Sequence, residues 1–277
     1  MPFAVTRDGV RLHYTVDDFT DPWQNAPHLL LQHGFGRHGG FWYRWIPRVA
    51  RFYRVIRPDM RGFGRSREGF NAERGFSLDD LVQDLTIVLD HAGVADVHYC
   101  GEAFGGTLGM QFAAQHPARV RTLSLLSAPV FLHADVQRNF AVGEGSWGEA
   151  LRKHGVKRWT EQTNTISRFP PDMGEGFLNW YSEELGRSTD AETLARFSDL
   201  CRSYDQTRFL PEIVAPVLAV FPSSRSEQVD LLRRHVRDLR VVRLATRFFM
   251  IYQIEPRACA EAVLHFAAQH DGFIPTE

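Results

Sequence analysis

The stretch that most resembles chemical machinery runs from Val97 to His116, V-H-Y-C-G-E-A-F-G-G-T-L-G-M-Q-F-A-A-Q-H. A short apolar strand, Val97 to Cys100, enters a small-residue turn and then a helix closed by Pro117. Gly101, Gly105 and Gly106 flank the turn, where a strand must reverse sharply into a helix. This is the layout of the nucleophile elbow G-x-S-x-G, in which a strained turn lifts a serine hydroxyl above a sheet. The central residue is Ala103, which carries no nucleophile. Cys100 lies three residues earlier, inside the strand, and reads as a small buried hydrophobe. Glu102 is an acid or base only if its side chain turns into a pocket, and the structural reading is favoured for it.

The elements around this turn alternate. Residues 3–17 read as a hairpin about Arg7-Asp8-Gly9. Pro27 precedes H-L-L-L-Q, a continuous apolar run suited to a strand buried on both faces. It leads into His33-Gly34-Phe35-Gly36-Arg37-His38-Gly39-Gly40, a glycine-dense loop that lets backbone approach a ligand closely. The spacing of Trp42, Trp45, Ile46 and Val49 predicts a helix over about Phe41 to Phe52, followed by a strand at Tyr53 to Arg57. Ser77 and Asp80 form a capping-box pattern opening a helix to about His91. A strand is predicted at Val120 to Leu126. From about Pro129 to Pro211 the sequence predicts helices and no strand. Strand, helix, strand and helix then return at Pro216–Phe221, Ser226–Asp238, Leu239–Leu244 and Pro256–His270. Such alternation implies a mostly parallel sheet covered on both faces.

Composition narrows the function classes. The 277 residues carry 44% apolar and 23% charged side chains, as expected of a soluble globular protein. A net charge of −1 gives no reason to expect nucleic acid or an anionic membrane as partner. Cys100, Cys201 and Cys259 are widely spaced and odd in number, which argues against disulfides and against a zinc site. The start, M-P-F-A-V-T-R-D, lacks the pattern of a signal peptide, and no stretch approaches a membrane span. The expectation is a cytoplasmic protein with no metal or cofactor and with a small-molecule ligand as partner. A homodimer is left open.

The order of elements and loops resembles the α/β-hydrolase superfamily over essentially the whole chain. The resemblance rests on His33-Gly34-Phe35-Gly36, similar to the oxyanion-hole loop, and on Asp59-Met60-Arg61-Gly62-Phe63-Gly64-Arg65-Ser66, similar to the D-x-R-G-x-G-x-S loop. The elbow and a helical insertion between the sixth and seventh strands complete it. It implies an α/β-hydrolase fold: a mostly parallel eight-stranded sheet flanked by helices, with residues 1–128 and 212–277 as core and 129–211 as a helical lid. The nearest branch it suggests holds bacterial esterases, enol-lactonases and C–C bond hydrolases.

The resemblance also says where a serine, a histidine and an orienting acid belong. The nucleophile position is Ala103. Counting from Pro216 places Arg225 at the acid position, and counting back from Pro256 places Phe249 at the histidine position. None of these residues performs the corresponding role, because an arginine stays protonated and a phenylalanine accepts no proton. Arg225 has two readings, a solvated loop residue (favoured) or a bidentate carboxylate ligand. The loop N–H groups of Gly34 and Phe35, with that of Phe104, remain as oxyanion donors. His38, Glu102, His133 and Trp159 are further pocket candidates. For both histidines a polar loop role is favoured, and for Trp147, Trp159 and Trp180 core packing. The expectation is a degenerate site that binds a small carbonyl or carboxylate compound without serine hydrolysis. Two alternatives accompany it: an enzyme of other mechanism (lyase, decarboxylase or cyclase), and an ester or C–C bond hydrolase whose serine was deliberately replaced by Ala103.

Overall fold

The computed structural model describes residues 2–276. Its strands are β1 (Phe3–Val5), β2 (Arg11–Asp17), β3 (His28–Gln32), β4 (Arg54–Pro58), β5 (Val97–Glu102), β6 (Val120–Leu126), β7 (Val217–Pro222) and β8 (Leu239–Leu244). They form one eight-stranded sheet in the order β1-β2-β4-β3-β5-β6-β7-β8. Only β1–β2 and β2–β4 pair antiparallel, and the rest are parallel. β5 lies near the middle of the sheet and is buried throughout, as is β7. Their continuous apolar character follows from having helices on both faces.

The helices are α1 (Ile46–Val49), α2 (Leu78–His91), α3 (Phe104–Gln115), α4 (Ala134–Ala141), α5 (Trp147–His154), α6 (Val156–Thr163), α7 (Glu175–Ser188), α8 (Ala191–Ser203), α9 (Ser226–His235), α10 (Ile251–Ile254) and α11 (Pro256–Asp271). The capping box of α2 forms as the sequence predicts. Ser77 Oγ accepts from the Asp80 N–H at 3.2 Å, and the Ser77 N–H donates to Asp80 Oδ2 at 2.7 Å. Leu81, Val82, Leu85, Val88 and Leu89 form its buried stripe.

One predicted helix is corrected. Residues 41–52 form a 3₁₀ turn, Gly39–Trp42, and the four-residue α1. Pro47, in the first turn of α1, has no N–H to return to the carbonyl of Tyr43, so a helix cannot run through it. Trp42 and Trp45 still reach the core, packed edge to face at 4.9 Å.

Helices α4 to α8 all lie between β6 and β7 in the chain. They meet the sheet-end loops through aromatic contacts: Phe35 against Trp147, Phe41 against Trp180 and Tyr181, and Phe63 against Phe197. The Thr189 hydroxyl at the end of α7 donates to the Gly62 carbonyl at 2.9 Å, and the Gly64 N–H donates to the Ser188 carbonyl at 2.8 Å.

The polar residues of the loop from Asp59 to Ser66 are structural. Asp59 Oδ1 accepts from the Gly39 N–H at 2.7 Å, and Oδ2 accepts from the Arg65 N–H at 3.0 Å. Ser66 Oγ donates to the Asp59 carbonyl and accepts from the His13 N–H. Arg61 makes a bidentate, buried pair with Asp84.

Candidate functional site

The turn joining β5 to α3 is strained. Ala103 has φ +46° and ψ −118°, a left-handed φ that a side chain disfavours. The glycines around it are required by close backbone approach. A Cβ on Gly101 would lie 2.4 Å from the Gly105 carbonyl oxygen, and one on Gly105 would lie 2.5 Å from the carbonyl oxygens of Gln32 and His33. Relief of the strain at the apex alone makes Ala103→Gly more stable by about 1 kcal/mol, an increase to be read as a higher urea midpoint at unchanged slope.

Beside this turn, the loop after β3 is held by polar contacts beneath it. His33 is fully buried, and burial pushes its pKa down to about 3. Its Nε2 accepts from the Met60 N–H at 2.9 Å, which fixes the neutral tautomer with Nδ1–H donating to the Gly34 carbonyl at 2.9 Å. The Gly34 N–H donates to Glu102 Oε1 at 2.5 Å. Arg37 completes the cluster, its Nε 2.6 Å from Glu102 Oε1 and its Nη2 2.9 Å from Oε2. Both side chains are buried. Burial opposes the Arg37 charge more than any other single cause, but Glu102, Tyr181 and Tyr252 together outweigh it and raise the arginine pKa above its ordinary value.

Above the turn is a cavity of about 50 Å³. Ala103, Phe35, Phe104, Phe140, Trp147, Phe249 and Tyr204 line it together with Arg37, Arg168 and Arg225. No carboxylate or imidazole is among its lining residues. A wider depression of about 410 Å³ adjoins it, and the two share Pro129, Leu132, Val136, Arg225 and Phe249.

Arg225 departs from the solvated reading. Its Nη1 donates to the Ser127 carbonyl at 3.1 Å, and its guanidinium lies 5.1 Å from the centre of the Phe249 ring. Burial lowers its pKa to about 10 while the Tyr204 hydroxyl opposes the shift, so it is a cation at neutral pH. Composition alone gave no warning, because Ser223, Ser224 and Glu227 around it are exposed.

The structure thus brings Ala103, Phe104, Phe35, Arg225 and Phe249 to one cavity. The Gly34 N–H, expected to be free for a ligand oxygen, is occupied by Glu102. Glu102 does not line the cavity. His38 faces a different depression beside His13 and Asp59, with Nε2 3.0 Å from Glu184. His133 sits at the wider depression, with Nε2 3.1 Å from Glu227 Oε2. Trp159 stands behind the cavity wall, its Nε1 donating to the Phe140 carbonyl at 2.8 Å. Trp147 lines the cavity, although core packing was the favoured reading for it. Cys100 is buried in β5, and burial raises its thiol well above the ordinary value, which removes it as a nucleophile.

Two cavity residues had no signal in the sequence. Arg37 is matched by an acid 65 positions away. Arg168 ends a π-helical turn, Asn164–Arg168, that follows α6 directly. Such turns are rare and cluster at functional sites. The Arg168 side chain is 3% exposed and rests on the rings of Trp159 and Phe140, at 4.6 and 4.9 Å.

Among the described residues no group of three or more His, Cys, Asp or Glu is placed to hold a metal ion. Among the same residues no helix is long and apolar enough to cross a membrane.

Comparison with known proteins accords with this geometry. Residues 27–163 match the family model described as alpha/beta hydrolase fold. A protein of Azorhizobium caulinodans named RutD, by that name a carbamate hydrolase, is 26% identical over 98% of this chain and 100% of its own length. Among solved structures, a hydrolase from Pseudomonas aeruginosa superposes with a TM-score of 0.82 at 24% identity, covering 96% of this chain and 97% of that one. An enol-lactonase from Burkholderia xenovorans gives 0.79 at 22% identity, covering 96% and 99%. From its strand order and these matches, the chain has the α/β-hydrolase fold, and residues 27–163 carry the family model of that name.

Proposed function

We infer that this protein binds a small carbonyl or carboxylate compound in the elbow cavity and does not cleave it by serine hydrolysis. On this reading Ala103, Arg225 and Phe249 stand at the positions of nucleophile, acid and base, and helices α4–α8 form a lid over them. The observation that carries it is their convergence on one cavity whose lining residues include no carboxylate and no imidazole. Acyl transfer by this mechanism needs a nucleophilic oxygen and a base within hydrogen-bond reach. Loss of such a group in a serine protease lowers turnover by about 10⁶-fold. The donor normally expected at Gly34 is also engaged, since its N–H points at Glu102. What remains for a ligand oxygen is the N–H of Phe35, the N–H of Phe104, which opens α3 without an intrahelical partner, and the cavity guanidiniums.

The curated relative carries the name of a carbamate hydrolase and the structural neighbours include an enol-lactonase. Both names suggest small acyl compounds as the ligand class here. A thermal-shift screen of small carbonyl and carboxylate metabolites, with each hit re-examined by mass spectrometry after incubation, tests the reading. The expected result is a stabilising ligand recovered unchanged. Its conversion to a product would replace this reading with an enzyme of different mechanism, such as a lyase or decarboxylase.

A further inference from the structure

We propose that the ligand is an organic carboxylate, its acid group seated on Arg168 and Arg225 and its apolar body passing Phe249 into the wider depression. This rests on the ligand-binding reading above and narrows it to an anion with a defined orientation.

Three guanidiniums line the cavity, and Glu102 matches only that of Arg37. Arg168 and Arg225 have no carboxylate within ion-pair distance among the described residues. Arg168 is the more telling, because it is 3% exposed and its side-chain contacts are the Thr163 hydroxyl and two aromatic faces. Burying an unpaired cation is unfavourable unless a counter-charge arrives. A chain that keeps one such group beside a second, half-buried and unpaired guanidinium at one cavity is complementary to an anion it does not itself contain.

The donors fit a carboxylate. Arg225 commits one hydrogen bond to protein, to the Ser127 carbonyl, and Arg168 commits one to Thr163. Each planar fork therefore keeps N–H groups for a carboxylate oxygen pair. Both guanidiniums remain charged at neutral pH even with their lowered values.

Size and lining set the orientation. The inner space of about 50 Å³ is smaller than the cavity of about 150 Å³ known to hold a benzene. It has room for the acid group and little more. The neck shared with the outer depression carries Arg225 on one side and is otherwise apolar, formed by Pro129, Leu132, Val136 and Phe249. A hydrocarbon body threads this neck, and a free phosphate has nothing to place there.

The test uses the whole chain and two matched probe pairs, benzoate with benzamide and 4-phenylbutyrate with 4-phenylbutyramide, plus inorganic phosphate. Calorimetry at fixed ionic strength measures affinity for the chain and for Arg168→Met, Arg225→Met and Arg225→Lys. The carboxylates are expected to bind at least tenfold more tightly than their amides. Each methionine variant is expected to lose at least tenfold, and Arg225→Lys to retain part of the affinity. Amides binding within threefold of the acids would overturn the proposal. So would unchanged carboxylate affinity in Arg225→Met, binding of phosphate alone, or no binding by any probe. Arg225→Met and Arg225→Lys decide the matter if Arg168→Met does not fold. Chemical conversion of a bound carboxylate, seen by mass spectrometry, would refute binding without turnover and leave the anion site standing.

Discussion

Replacing Glu102 by alanine is expected to destabilise the protein by about 3–5 kcal/mol, the cost of stranding one half of a buried ion pair. Glu102 and Arg37 bury together, and their contact is bidentate. Alanine removes both carboxylate oxygens at once. The guanidinium then keeps only the Tyr181 oxygen, to which its Nη1 donates at 3.0 Å, and the Gly34 N–H loses its acceptor. The double variant Arg37→Met/Glu102→Leu removes both charges and should recover most of the loss, as apolar replacement of a whole buried pair often does. Urea unfolding of Glu102→Ala, Arg37→Met and the double variant checks this. Losses that simply add in the double variant would mean that the stranded charge is not the cause.

The second large effect is a loss of stability on acidification that traces to His33. Burial holds its pKa at about 3, against 6.5 for an unperturbed histidine. Between these values the unfolded chain binds a proton that the folded chain excludes. Stability therefore falls as the pH drops from about 6.5 toward 3, by up to about 1.4 kcal/mol per pH unit and about 5 kcal/mol in all. Below 3 this group contributes no further change. In His33→Gln the side-chain amide can donate to the Gly34 carbonyl and accept from the Met60 N–H, while the titration is lost. Urea midpoints between pH 7 and 4 should fall less steeply in that variant than in the parent. Equal slopes would assign the acid sensitivity to carboxylates such as Asp59, which the His13 contact helps hold below its ordinary value against burial.

Much of the scaffold was legible because its signals are local. β6 occupies Val120–Leu126 as predicted, since a continuous apolar run flanked by polar residues leaves little choice of boundary. The capping box of α2 sits where Ser77 and Asp80 place it. The elbow was legible from glycines that are there because carbonyls pass within van der Waals range of their Cα atoms. The helix over 41–52 was misread because tryptophan spacing outweighed one proline. The chemistry was harder to read for a different reason. Arg225 belongs to an exposed-looking loop and is half-buried only because α4 and the turn after α6 pack beside it. Arg168 precedes Phe169-Pro170-Pro171, a breaker that reads as surface. The Arg37–Glu102 pair spans 65 residues, and the loop donor it captures cannot be foreseen from either segment alone.

On the proposed reading the departure from serine hydrolysis is distributed over the site and is not a single missing hydroxyl. Restoring that hydroxyl is the direct test. Steady-state turnover of 4-nitrophenyl esters of short and medium chain length is measured for the parent chain and for Ala103→Ser. Ala103→Ser is expected to stay at the background rate, because Arg225 and Phe249 give its hydroxyl neither a base nor an orienting acid. Vigorous ester turnover by Ala103→Ser alone would contradict it, and would mean that Ala103 is the sole lesion in an otherwise competent hydrolase.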